Sequence, residues 1–272
     1  MNAPTKTPSA EAILLREDAG KIAILTLNRP AARNSLSEAL LTALSESFAA
    51  IAKDRDIRAV VLAANGPVFC AGHDLKELTS RRSDSDGGRA YFHHIMTTCS
   101  AMMQSIVALP QPVIAAVQGV ATAAGCQLVA TCDLAVASAD AKFATPGVDI
   151  GLFCSTPMVA LSRNVTRKQA MHMLLTGEPI SAEQAERAGL INRVTEPGRE
   201  RAEALALAET VAAKSSHVVK IGKKAFYEQV QMPLAEAYDY AAKVMTENMM
   251  ARDANEGICA FIEKRTPHWE DK

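Results

Sequence analysis

Hydrophobic positions along the chain follow two rhythms. Short β-branched runs recur at Ile22 to Leu27, Ala59 to Ala63, Val113 to Val117 and Leu134 to Ala137, and their length and composition predict buried strands. Between several of them the apolar spacing changes to three and four residues. From Ser37 to Lys53, residues Leu40, Leu41, Leu44, Phe48 and Ile51 fall on one face of a helix, with Ser37 placed as its N-cap. A second helix is predicted from Arg89 to Leu109. The loop before it, Arg81 to Gly88, is rich in Ser, Asp, Gly and Arg, a composition that predicts a mobile surface segment. Strands alternating with helices predict an α/β architecture.

Beyond Thr166 the strand rhythm fades and helical patterns follow one another to about Arg265. Ser181 opens a short helix as N-cap and Gly189 closes it, while Pro197 and Pro233 mark breaks. The predicted organisation is a loose N-terminus over 1–12, an α/β core over 13–197 and a helical region over 198–272. Asp133 is the one charge between Pro112 and Ala139, yet Gln118, Gly119, Thr122, Gly125, Gln127 and Thr131 interrupt that run. A buried strand-helix-strand segment explains it better than a membrane span. The cluster Met245, Met249 and Met250 predicts helix packing or an oligomer contact.

Composition narrows the function. A chain of 272 residues with 49% hydrophobic content can bury one large core. Lys and Arg total 29 against 30 for Asp and Glu, so no broad positive field favours a nucleic acid. The six cysteines are dispersed, with no C-x-x-C pair and no His at zinc spacing, which predicts reduced thiols and no metal site. The opening MNAPTKTPSAEA has neither a secretory nor a transit pattern, and a cytoplasmic protein is expected.

Four segments in order resemble the enoyl-CoA hydratase/isomerase (crotonase) family over about Ala12 to Trp269. Leu27-Asn-Arg-Pro-Ala-Ala-Arg-Asn-Ser-Leu36 is similar to its N-R-P-x-x-x-N-A-L signature, and Phe69-Cys-Ala-Gly-His-Asp-Leu-Lys-Glu-Leu78 to F-x-A-G-x-D-L-x-E-[LM]. Gly119 to Asp133 resembles G-x-x-x-G-G-G-x-E-L-x-x-x-C-D, and Ala251 to Trp269 resembles D-x-x-E-G-x-x-A-F-x-E-K-R-x-P-x-[FW]. The resemblance implies a ClpP/crotonase-like spiral of β-β-α turns with a helical C-terminal trimerisation region, assembled as a homotrimer or a dimer of trimers. It implies an acyl-CoA thioester as partner, fatty-acid or carboxylic-acid metabolism as setting, and no cofactor beyond the CoA moiety of the substrate. By the same resemblance the amides of His73 and Ala124 form an oxyanion hole, with Ala124 standing where the family usually has Gly. Ala32, Arg33, Ala71, Asp74, Leu75, Phe261 and Lys264 are then placed along CoA; Arg33 and Lys264 can equally be solvated side chains.

The catalytic pair of the hydratase pattern is missing. Gln127 and Gly147 occupy the two glutamate positions. Hydration needs a group that activates water and a group that protonates the α-carbon, and an amide exchanges no proton at neutral pH. Weak hydratase activity is expected, and restoring both glutamates is expected to raise it. Asp149, Cys154, Ser155 and the His73 ring are the candidate substitutes, each with a structural reading beside the catalytic one; His93 and His94 are expected on the surface. A non-catalytic acyl-CoA binding or regulatory protein remains the alternative.

Overall fold

The computed structural model describes residues 12–272, so the predicted loose N-terminus lies outside it save for Ala12. Strands β1 (Leu14–Ala19) and β2 (Ile22–Leu27) form an antiparallel hairpin, and helix α1 (Glu38–Ile51) follows. The chain then lays down β3 (Ala59–Ala64), β4 (Val68–Cys70), α2 (Leu75–Ser80) and α3 (Arg89–Ala108). The same order returns in β5 (Val113–Val117), β6 (Val120–Thr122) and α4 (Ala124–Thr131), and again in β7 (Leu134–Ser138), β8 (Lys142–Ala144) and α5 (Pro157–Asn164). Next come α6 (Arg167–Thr176), β9 (Ile180–Ser181), α7 (Ala182–Ala188) and β10 (Arg193–Thr195). Helices α8 (Glu200–Ala212), α9 (Ser216–Gln229), α10 (Leu234–Met250) and α11 (Arg252–Glu263) complete the chain.

Each round adds one strand to each of two sheets. The larger is ordered β1-β2-β3-β5-β7-β10 and the smaller β4-β6-β8-β9. Neighbours are parallel except β1 with β2 and β8 with β9. This is the spiral of β-β-α turns that the sequence predicts. Strand alternation explains the layers. Ala23, Leu25 and Leu27 join the main core with Leu40, Leu44 and Phe48 of α1, while Ile22, Ile24, Val61, Ile114 and Val136 face Ala204, Ala208 and Ala212 of α8. With both faces covered, the central strands read as continuous apolar runs.

Helix α9 is tied down by a buried charge pair. The Lys223 Nζ donates to Asp133 Oδ2 at 2.7 Å and to the carbonyls of Ile106 and Gln111, while Asp133 also accepts from the Val113 amide and the Tyr227 hydroxyl. Burial lowers the Lys223 pKa, with Asp133 opposing it. Two apolar surfaces are exposed among the described residues. Phe226, Leu234, Tyr238, Met250 and Phe261 lie on α9 to α11, and Ile150, Leu152, Phe153, Met171 and Leu175 lie around α5 and α6.

One feature differs from the sequence reading. Strands β9 and β10 lie beyond Thr166, where the strand rhythm fades; at two and three residues they are too short to show one. The Arg81–Gly88 loop is exposed up to Gly87, as its composition predicts for a surface segment; the Asp86 carboxylate accepts from the Gly88 and Ala90 amides, and the Arg81 guanidinium sits 4.7 Å from the Tyr91 ring centre. Among the described residues, no helix is long and apolar enough to cross a membrane.

Candidate functional site

Two distant turns are joined by backbone hydrogen bonds. The Ala71 amide donates to the Arg33 carbonyl at 3.1 Å, the Leu36 amide to Gly72 at 2.7 Å, and the Asp74 amide to Leu36 at 3.4 Å. Side chains reinforce the junction. Buried Asn34, in the left-handed region, donates to the carbonyls of Asn65 and Val68 and accepts from the Arg29 amide. Asp74 caps α2 and accepts from Arg29 and Ser35, each at 3.1 Å. Burial alone would raise the Asp74 pKa, but Arg29, the Glu77 amide and Ser35 outweigh it and hold the carboxyl below its ordinary range. Ala32, Arg33, Ala71, Asp74 and Leu75 therefore belong to one hydrogen-bonded unit, with Asp74 holding it together.

This unit is pressed against the start of α4. Gly72 has φ +88°, and a Cβ there would lie 2.9 Å from Ala123 Cβ and 3.2 Å from the Ala124 nitrogen. At Gly125 a Cβ would lie 2.1 Å from the Cys70 carbonyl oxygen, a contact only glycine permits. Ala123, just before α4, adopts φ 51° and ψ −119°. That conformation costs a residue with a Cβ roughly 1 to 3 kcal/mol and concentrates at functional sites. Among the described residues, the amides of His73 and Ala124 find no acceptor in the chain, whereas the Gln127 amide already donates to Ala123. Free amides beside the positive end of a helix can hold an oxygen that is gaining negative charge.

The side-chain half of the site is neutral. Gln127 is buried, and its Oε1 has no partner among the described residues. At Gly147 a Cβ would meet Cys154 Sγ and the Leu152 carbonyl at 3.0 Å and the Cys154 nitrogen at 3.2 Å. A glutamate at this position needs its neighbours to give by a few tenths of an ångström. The Asp149 carboxylate lies against Gly177 at the end of α6, its Oδ2 2.9 Å from where a Cβ would stand. Burial raises the Cys154 thiol, and the exposed Ser155 hydroxyl donates to the Phe153 carbonyl. Both His73 ring nitrogens are buried, with no hydrogen-bond partner within bonding geometry among the described residues. Burial pushes the His73 pKa down, and the nearby Leu36 backbone offsets part of the shift.

Thr122 and Thr145, flanking this region on β6 and after β8, also carry buried hydroxyls without partners among the described residues. Each such group costs roughly 1 to 3 kcal/mol, so a cluster of them marks a place where the fold gives up stability. Their residue types carry no motif; only the register of β6 with β8 brings them near α4. The strain at Ala123 was equally unread in the sequence, although the glycine-rich pattern covers that position.

Phe261 and Lys264 sit elsewhere. Helix α11 packs on α9 and α10, leaving Phe261 85% exposed, and Lys264 closes the helix in the left-handed region. His94 pairs with Glu38 at 3.0 Å and His93 is exposed. Tyr91 is raised to about 12, first by burial and then by Glu77 and Glu38. Among the described residues no group of three His, Cys, Asp or Glu is placed to hold a metal.

Comparison with known proteins gives the same picture throughout. The enoyl-CoA hydratase/isomerase family pattern matches residues 17–272. The rat protein called enoyl-CoA hydratase domain-containing protein 3, mitochondrial, is 48% identical over 90% of this chain and 80% of its own length. A crystal structure of an enoyl-CoA hydratase from Mycobacterium smegmatis is 51% identical, with a TM-score of 0.90 over 95% of this chain and 99% of that one. The human enoyl-CoA hydratase domain-containing protein 3 structure is 45% identical, with a TM-score of 0.90 over 95% of this chain and 100% of that one. The rat, mouse, zebrafish and human relatives are named as mitochondrial, and the expectation of a cytoplasmic protein is corrected on that finding.

Proposed function

We propose, because this chain belongs to the enoyl-CoA hydratase/isomerase family, that it binds acyl-CoA thioesters with the thioester oxygen between the amides of His73 and Ala124. The observation that carries this reading is the pair of amides without acceptors beside the start of α4. A donor aimed at developing charge contributes roughly 3 to 4 kcal/mol in comparable sites, so the enolate-stabilising half of the machinery is retained. Ala32, Arg33, Ala71 and Leu75 would line the CoA path, with Asp74 holding their turn in place. Phe261 and Lys264 would reach a CoA bound to a neighbouring copy, in a homotrimer or a dimer of trimers. The two exposed apolar surfaces support such an assembly, because unlike patches that meet head to tail close into a ring.

Hydration of enoyl-CoA would be slow, since each proton-transfer group contributes roughly 10² to 10⁴-fold and neither glutamate is present. A fatty-acid or carboxylic-acid metabolic role follows from the substrate class. The alternative, a non-catalytic acyl-CoA binding protein, is favoured by one observation: the space beside Gly147 is filled by Cys154. Titration calorimetry with acetyl-CoA and a longer acyl-CoA tests the shared claim. Saturable heat supports it, and no binding at millimolar ligand defeats it. Light scattering should give a trimer or hexamer; a stable monomer at micromolar concentration would count against the placement of Phe261 and Lys264.

A further inference from the structure

The chain turns back on itself near its C-terminal end. Lys264 ends α11 in the left-handed region with φ 56°, and residues 265–272 then return along one face of that helix. Asp253, Glu256 and Gly257 share this face, at spacings of three and four residues. The Asp253 carboxylate, 1% exposed, accepts from the Glu270 amide at 2.8 Å and from the Asp271 amide at 3.0 Å. Glu256 accepts from both terminal nitrogens of Arg265 and from the His268 amide. At Gly257 a Cβ would lie 3.1 Å from the Trp269 ring. The returning segment is also fastened to the core, because Asp271 accepts from Arg58 and the Ser216 amide, and the Trp269 indole donates to the Ala213 carbonyl at 3.0 Å. Within α11 itself Asp253 and Ala260 are the buried residues, so apolar packing does little to hold the helix.

Resting on the reading above that Lys264 reaches a CoA held by a neighbouring copy, we infer that the returning segment is a strap that positions Lys264 for that contact, with Asp253 as its principal positioning residue. Lys264 stands at the point of reversal, between the helix that grips the strap and the strap itself, and its side chain is exposed. The phosphates are the charged groups of CoA, so a lysine ammonium that reaches the ligand meets them. A long side chain gains from such a contact only in so far as its backbone is already held, because every group ordered on binding costs entropy. Asp253 touches no ligand in this arrangement. Its carboxylate fixes two amides of the strap, and losing that grip frees the reversal. The pattern from Asp253 to Trp269 thereby gains a physical meaning: two carboxylates and a glycine on the helix match the amides, the arginine and the indole of the segment that follows.

The test is a double-mutant cycle on acetyl-CoA affinity, measured by titration calorimetry, with assembly mass followed by light scattering. Asp253→Asn and Lys264→Gln should each weaken binding by about tenfold, the scale of one hydrogen bond to a charged group. The double variant should also be about tenfold weaker than wild type and no more, because both changes remove the same contact. Glu256→Gln, alone and with Lys264→Gln, repeats the cycle at a half-buried carboxylate, with a loss in the same direction, and decides the matter if Asp253→Asn does not fold. Assembly mass should match wild type throughout. Additive losses, about 100-fold in the double variant, overturn the inference. Wild-type affinity in Lys264→Gln or in folded Asp253→Asn overturns it as well, and so does a change of assembly mass that accounts for the lost affinity. In each of these cases wild-type binding persists and the acyl-CoA reading stands. Absence of acetyl-CoA binding by the wild-type protein overturns both.

Discussion

At the Gly72 turn the groups able to act on a thioester are backbone amides, whereas along the wall of Gln127, Gly147 and Cys154 they would have to be side chains. The two regions tolerate sequence change differently. Ala123 and Ala124 stand where the family pattern has glycine, yet among the described residues the Ala124 amide has no acceptor, while α4 approaches β4 closely at Gly125. At Gln127 and Gly147 the chain carries no carboxylate, and Cys154 packs beside Gly147. A backbone site survives as long as the fold does, while a side-chain site is lost one residue at a time.

The largest expected effect comes from breaking the backbone half. Gly125→Ala drives a methyl into the Cys70 carbonyl, and overpacking of this kind costs about 3 kcal/mol. Denaturant unfolding should show the loss, and calorimetry should show acyl-CoA affinity falling with it. A variant with native stability and affinity would mean that the close approach of α4 to β4 does not set the site.

The side-chain half should respond through rate. Gln127→Glu restores one carboxylate in a buried position, and crotonyl-CoA hydration should rise by about 10²-fold, the lower bound for a single proton-transfer group. Adding Gly147→Glu should bring no further gain and should destabilise by about 2 kcal/mol, because its side chain meets Cys154 and the Leu152 carbonyl. Further acceleration in the double variant, without loss of stability, would show that the 147–154 loop yields easily.

A smaller effect concerns the brace of the backbone half. The Asp74 carboxyl has a lowered pKa in the folded protein, so its stabilisation is present above the ordinary carboxylate value and is lost as pH falls through the folded one. Asp74→Asn keeps a capping oxygen but loses the Arg29 pair, and should cost about 1 kcal/mol at pH 7. The difference from wild type should shrink on acidification through the acid range. A difference independent of pH would mean that the Arg29 charge contributes nothing.

How much of this was legible in the sequence follows from physical scale. Strands with five or six apolar residues, such as Ile22–Leu27 and Val113–Val117, show their burial directly, and α1 shows its stripe and its Ser37 cap. The three-residue strands β4, β6 and β8 show nothing, because their register is fixed by partners far along the chain. Glycine at 72 and 125 marked the turn, but the closeness of Cys154 to Gly147 joins a residue type to a space that only folding creates. The N-terminal composition gave an address that the named relatives contradict.

The most direct test of a retained backbone oxyanion site is a calorimetric comparison of acetyl-CoA with its thioether analogue S-ethyl-CoA, which keeps the CoA moiety and lacks the carbonyl oxygen. The thioester should bind at least about tenfold more tightly, corresponding to roughly 1.4 kcal/mol from the His73 and Ala124 amides. Equal affinities would contradict the site, because the carbonyl would then make no interaction there that the thioether lacks.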